Sequence, residues 1–116
     1  MNFYSLCENF LENLAEKIEL QDIDSKLEVE YQDGILEIII NSNKKTFIIN
    51  RNAGNQKIWY SSPFSGADYF SFDEKTLDWR DVKGDELEQK LLSELSHVIP
   101  HVISHGISAK AEIQEN

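Results

Sequence analysis

INRNAGNQKIWYSSPFSG, residues 49–66, is the stretch on which the fold turns. Ile49 closes an apolar run, Asn52-Ala53-Gly54-Asn55 turns the chain, and Lys57-Ile58-Trp59-Tyr60 resumes an extended pattern that stops at Ser62-Pro63. Gly and Asn adopt turn conformations readily, and Pro cannot donate to a sheet ladder, so two strands joined by a short connection are expected. Successive strand side chains point to opposite faces, which sets Trp59 against Ile58 and Tyr60. With Ile58 and Tyr60 in the core, Trp59 faces outward amid uncharged polar groups. The rival placement makes Trp59 a core anchor and exposes its two neighbours.

Strands continue on both sides of this stretch. Leu27, Val29 and Tyr31 alternate with Glu28 and Glu30, the period-two pattern of a half-buried strand. Asp33-Gly34 follows, a strong hairpin signal, because Gly supplies positive φ without steric cost. Residues 35–40 form the returning strand, and their near-continuous apolar character predicts a central position. Further strands are expected over 46–50, 57–61, 67–72 and 77–80, in an antiparallel meander. Helices bracket them. Phe3, Leu6, Cys7, Phe10, Leu11, Leu14 and Ile18 recur with helical periodicity over 3–20. Leu87, Leu91, Leu95, Val98 and Ile99 form the stripe of a second helix, opening near Asp85 and ended by Pro100. The fold class is therefore α+β: a two-layer α/β sandwich with two helices packed on one face of an antiparallel sheet. The other sheet face stays open to solvent, as antiparallel sheets tolerate.

The 116 residues make one domain, with 110–116 expected as a frayed tail. No run approaches the roughly 20 apolar residues of a membrane span. The opening MNFYSLCENFLENL has neither an early positive charge nor a small-residue cleavage site, so no signal peptide is expected. Cys7 is the single cysteine, which excludes an internal disulfide and a cysteine metal cage. It lies in the apolar helical stripe, the place of a buried thiol rather than a reactive one.

The net charge is −10 and uneven: residues 1–33 hold nine acids against two bases, and the other 83 hold twelve against nine. Such a field repels nucleic acid and anionic membrane, and attracts cations or a basic protein face. With Glu8 at 0° on a helical wheel, Glu12, Glu16, Glu19 and Asp22 fall at about 40°, 80°, 20° and −40°, opposite the apolar stripe. They form one ridge. It is either a solvated helix face or a cation site, and its near lack of interleaved Lys favours the latter, since solvated faces usually mix signs.

The stretch 49–66 resembles the frataxin signature. Ile49, Asn50, Asn55, Ile58, Trp59, Ser61, Ser62, Pro63, Ser65 and Gly66 carry the resemblance, and LENLAE at 11–16 is similar to the first frataxin helix. The order of acidic helix, meander and closing helix extends the likeness from residue 3 to about residue 100. A short chain without a presequence looks like the bacterial CyaY-type branch. The chain departs from the pattern at Asn52, at Ala53-Gly54, at Gln56-Lys57, at Tyr69 where the family carries Arg, and at Phe72.

The resemblance implies an iron-binding accessory protein of iron–sulfur cluster assembly, docking on the cysteine desulfurase and its scaffold. It implies weakly bound ferrous or ferric iron at Glu8, Glu12, Glu16, Glu19 and Glu28, to which the ridge geometry adds Asp22, and a partner-binding surface of Asn50, Asn55, Trp59 and Ser61. It implies a cytoplasmic protein, or a mitochondrial matrix protein in a mature eukaryotic form, monomeric when iron-free. Carboxylates are hard ligands suited to such cations, but without His or Cys among them affinity is modest and selectivity poor. Two alternatives stand beside this: a ferroxidase or iron-storage enzyme, and an acidic protein-binding module without metal. The first lacks the pair of Glu-x-x-His motifs, one on each of two helices, that builds a buried diiron site. Catalytic residues are not expected: glycine-rich phosphate loop and nucleophile elbow are both absent, and Ser61 and Ser62 lie far in sequence from any His. His97, His101 and His105 stand at four-residue spacing, but Pro100 interrupts the pattern, so they are expected to be incidental.

Overall fold

The computed structural model describes residues 2–100. The expectations for His101, His105 and the tail, including Val102, Ile103 and Ile107, lie outside the described residues.

Asn2 opens the first helix. Its side-chain oxygen accepts from the backbone N–H of Tyr4 at 2.8 Å and of Ser5 at 3.2 Å, two donors that the first turn cannot pair internally. α1 runs Phe3–Gln21 and buries Cys7, Leu11, Leu14, Ala15 and Ile18, the stripe its periodicity predicts. It ends before Asp22, whose carboxylate turns away to accept from the backbone N–H of Lys26 at 2.8 Å and of Leu27 at 2.9 Å. Asp22 thus fixes the entry into the sheet.

The strands are β1 (Leu27–Gln32), β2 (Ile35–Ile40), β3 (Thr46–Asn52), β4 (Lys57–Ser62), β5 (Gly66–Asp73) and β6 (Asp78–Arg80). They form one antiparallel sheet in sequence order. β2 lies second from the edge rather than centrally. Its apolar run is also not buried on both sides: Leu36, Ile38 and Ile40 enter the core, while Ile35 and Ile39 face outward. The outward isoleucines belong to a face that no second layer covers among the described residues.

The β1–β2 turn needs its glycine. Asp33 and Gly34 have φ of 51° and 82°, the paired left-handed conformations of a type I′ hairpin. A Cβ on Gly34 would meet Arg51 Cζ at 2.6 Å. Arg51 lies across the turn, with its guanidinium 4.3 Å from the Tyr4 ring centroid and Nη2 3.6 Å from Asp33. At an unstrained site, Gly→Ala stabilises by reducing unfolded-chain entropy. Gly34→Ala is expected to do the opposite and cost about 1–2 kcal/mol; a rise in the urea midpoint would show that the turn tolerates a side chain.

α2 spans Leu87–Leu95, shorter than the 85–99 expected. Asp81 explains the late start: its Oδ1 accepts from the backbone N–H of Lys83 and Asp85, wrapping the loop around itself. Glu86 then caps the helix, accepting from Glu88 and Gln89 N–H at 3.0 and 3.1 Å. Burial raises the Glu86 carboxyl above its ordinary pKa. At the other end, Val98 N–H bonds to Leu95 O at 2.9 Å, a tighter i→i+3 turn that ends the regular helix before Pro100.

Both helices lie on one sheet face, and an ion pair between Lys17 and Glu88 joins them. Leu14, Ile38 and Leu91 are all buried in the shared core. Trp79 is a core residue, packed by Phe3, Phe10 and Phe72 with ring centroids 6.3, 6.1 and 5.4 Å away. The Tyr60 hydroxyl, on β4, reaches Glu94 on α2 at 2.5 Å. Burial first, and then this carboxylate, keep the phenol protonated.

Candidate functional site

Helical periodicity buries one side of α1 and leaves Glu8, Glu12, Glu16 and Glu19 exposed on the other. None of the four forms an ion pair among the described residues. Lys17, on the same helix, is directed to Glu88. The structure gathers Glu12, Glu16 and Glu19 along a shallow groove between α1 and edge strand β1, floored by Val29 and Tyr31. Burial and the nearby Glu8 and Glu12 raise the Tyr31 phenol, against a hydrogen bond from Gly34 N–H at 3.2 Å. Tyr31 therefore lines the groove as a neutral phenol, and the charged donors there are carboxylates.

Glu28 stands apart from this groove. It sits on the opposite side of β1, on the outer sheet face with Glu30. Asp22 lies just beyond the helix, with its carboxylate already bonded to two backbone N–H groups. Among the described residues no three Asp, Glu, His or Cys side chains converge on a point that would hold a metal. The ridge therefore presents its carboxylates along a line rather than around a cage. Cys7 is fully buried beneath the helix, and desolvation pushes its thiol up to about 11, the behaviour of an inert core residue. His97 is exposed after α2.

The outer sheet face is built by strand register. Ile58 and Tyr60 are fully buried, so Trp59 points outward, half-buried among its neighbours. Asn50 on β3 and Tyr69 on β5 lie directly across from it. The Tyr69 ring meets Trp59 edge-on at 4.9 Å between centroids. Asn50 Oδ1 is buried without a hydrogen-bond partner among the described residues, an acceptor that lacks the pairing buried polar groups ordinarily have. Ser61 lies two residues along β4, opposite Ile48 and Ala67. Asn55 was expected to flank Trp59, but it sits in the β3–β4 turn, where its Oδ1 accepts from Lys57 N–H at 3.2 Å. Tyr69 takes the flanking place instead. Ser62 accepts from the N–H of Phe64 and Ser65, the turn role its Ser-Ser-Pro context predicts.

The fold and these two surfaces define a small α+β sandwich with an acidic helix edge and an uncovered aromatic sheet face. Residues 1–101 match the frataxin-like domain, and the chain belongs to the frataxin family. It is 44% identical over 70 residues to a mitochondrial frataxin of Dictyostelium discoideum, covering 60% of this chain and 36% of that protein. Over 68 residues it is 38% identical to the mitochondrial frataxin homolog of Drosophila melanogaster, covering 59% and 34%. The matches thus span about a third of the length of these two relatives. Frataxin from Psychromonas ingrahamii superposes with a TM-score of 0.74 at 20% identity, over 89% of this chain and 96% of that one, a likeness of fold. Trimeric frataxin from Saccharomyces cerevisiae, complexed with ferrous iron, superposes with a TM-score of 0.69 at 25% identity, over 82% and 86%. Among the described residues no helix is long and apolar enough to cross a membrane.

Proposed function

We propose that this protein binds iron weakly along the α1 ridge and serves iron–sulfur cluster assembly as an accessory, docking on the cysteine desulfurase and its scaffold. The observation that carries this is the occurrence, on one small fold, of an acidic ridge without ion pairs among the described residues and a solvent-facing aromatic and amide sheet face. Iron is cargo here. Carboxylates suit it chemically, and neighbouring acids one turn apart can share an ion whose remaining positions water fills. A site so open stays exchangeable, which fits delivery better than storage. The sheet face, with Trp59 and the unpartnered Asn50 acceptor, docks the partners, which supply most of the chemistry. The deciding experiment measures desulfurase activity with and without the protein at fixed iron and scaffold. No change at any iron level would overturn the accessory role.

The metal reading has its own test. Glu12→Gln, Glu16→Gln and Glu19→Gln together are expected to reduce ferrous binding under anaerobic titration, and Mn²⁺ and Ca²⁺ are expected to compete in the parent. The same triple variant should be slightly more stable at low salt, because it removes like charges at i,i+3 and i,i+4. Unchanged iron stoichiometry and affinity would place the site elsewhere and favour a metal-free docking module.

A further inference from the structure

Two adjacent rows of side chains cross the outer sheet face. One runs Gln32, Ile35, Asn50, Trp59, Tyr69, and the next runs Glu30, Glu37, Ile48, Ser61, Ala67, by direct Cα pairing from β1 to β5. Together they contain two carboxylates and no base. Glu30 and Glu37 are directly opposite each other, an arrangement that like charges disfavour in a sheet. Ile35 and Ile48 beside them are 47% and 38% exposed, enough apolar surface to pack an aliphatic stem. At the other end the rings of Trp59 and Tyr69 present π surfaces, which attract cations and not anions. Carboxylates, isoleucines and ring faces all suit the same kind of group.

We propose that the protein docked on this face places an arginine or lysine side chain between Glu30 and Glu37, its stem against Ile35 and its charge shared by the two carboxylates. The inference rests on the sheet face being the docking surface, and it adds the partner's chemistry and orientation. Glu37 lies on β2 and Trp59 on β4, two strand spacings across and two residues along, about 12 Å apart. The partner's basic group therefore sits about that far from whatever covers Trp59, and the acidic side of the face fixes which way round the partner lies. These two glutamates are distinct from the α1 ridge, which lies on the helix side of β1.

The test compares dissociation constants for the desulfurase–scaffold complex at low and high salt. Glu30→Lys with Glu37→Lys is expected to weaken binding at least about tenfold at low salt, with a smaller loss at high salt. Glu30→Gln with Glu37→Gln should weaken it less and leave thermal stability equal or higher, since a like-charge pair is removed. Glu74→Lys with Asp85→Lys, an equal charge change at exposed positions elsewhere, should have a much smaller effect. Equal losses from the two reversals would mean that only net charge matters, and would overturn the proposal. An unchanged constant in the Glu30/Glu37 reversal, with weakened binding in Trp59→Ala, would overturn the basic contact and leave the docking face standing. Unchanged binding in both would remove both. A drop in ferrous or Mn²⁺ stoichiometry in the double Gln variant, with complex binding intact, would mean that the pair holds a small cation instead.

Discussion

Leu14→Ala and Leu91→Ala are each expected to destabilise the fold by about 2–5 kcal/mol, enough to lower the thermal midpoint by roughly 10 °C or more. Leu14 is 1% exposed and Leu91 is fully buried, one from each helix, in a single core shared with Ile38. Removing either side chain loses its transfer energy and leaves a cavity that its neighbours fill only in part. Small domains are stable by only about 5–15 kcal/mol, so either change takes a large share. Leu20 is the control. It lies on the same helix but is 77% exposed, and Leu20→Ala should stay within about 0.5 kcal/mol of the parent. Equilibrium urea unfolding measures all three. A loss below about 1 kcal/mol at Leu14 would mean that α1 does not pack closely on the sheet.

Much of this core is written in residue spacing. Leu14 and Ile18 are buried because helical periodicity and apolarity agree there, and Tyr60 and Ile58 because strand alternation does. Where the two signals conflicted, spacing was a weaker guide. The apolar run of β2 reads as a central strand, yet β2 lies second from the edge with Ile35 and Ile39 on the open face, because the apolar content of one strand does not set its place in the sheet order. α2 begins at Leu87 and not at Asp85, since the preceding loop is committed to hydrogen bonds with Asp81, a long-range choice that local periodicity does not encode.

The candidate site divides in the same way. The ridge of Glu8, Glu12, Glu16 and Glu19 follows from one helix and its period, and it is legible. Asp22 continues that period on paper, but the helix has ended, and its carboxylate is spent on the turn into β1. Glu28 reads as part of the same acidic field, but strand alternation carries it to the far side of β1. Tyr69 beside Trp59 depends on the register of β4 with β5, which the loop between them sets. The Glu30–Glu37 pairing was within reach: a two-residue Asp33-Gly34 turn sets Gln32 opposite Ile35, and counting back gives Glu30 opposite Glu37.

Trp59→Ala is expected to fold, and to weaken binding to the desulfurase–scaffold complex by about 2 kcal/mol or more, roughly thirtyfold. Trp59 faces outward, so truncation opens no cavity between the sheet and the helices. It does lose the edge-on contact with Tyr69 and its cross-strand packing on Asn50, which should cost about 1 kcal/mol of stability, well below the loss at Leu14. Binding is expected to suffer more than folding. An aromatic ring supplies a large rigid contact area at low entropic cost, and at a protein interface it excludes water from neighbouring polar groups. Asn50 Oδ1 is such a group, since it has no partner among the described residues. In the proposed complex a donor from the partner would complete it under cover of the indole. Removing the indole would leave that hydrogen bond in competition with water. Trp59→Phe should recover part of the affinity, because it keeps a ring against Tyr69, whereas Asn50→Ala should weaken binding without a matching loss of fold stability. Ferrous binding along α1 should be unchanged in all three, because the ridge lies on the helix side of the sheet. A Trp59→Ala protein that unfolds would show that the indole is needed for the fold; one that binds as tightly as the parent would show that the partner meets the protein elsewhere.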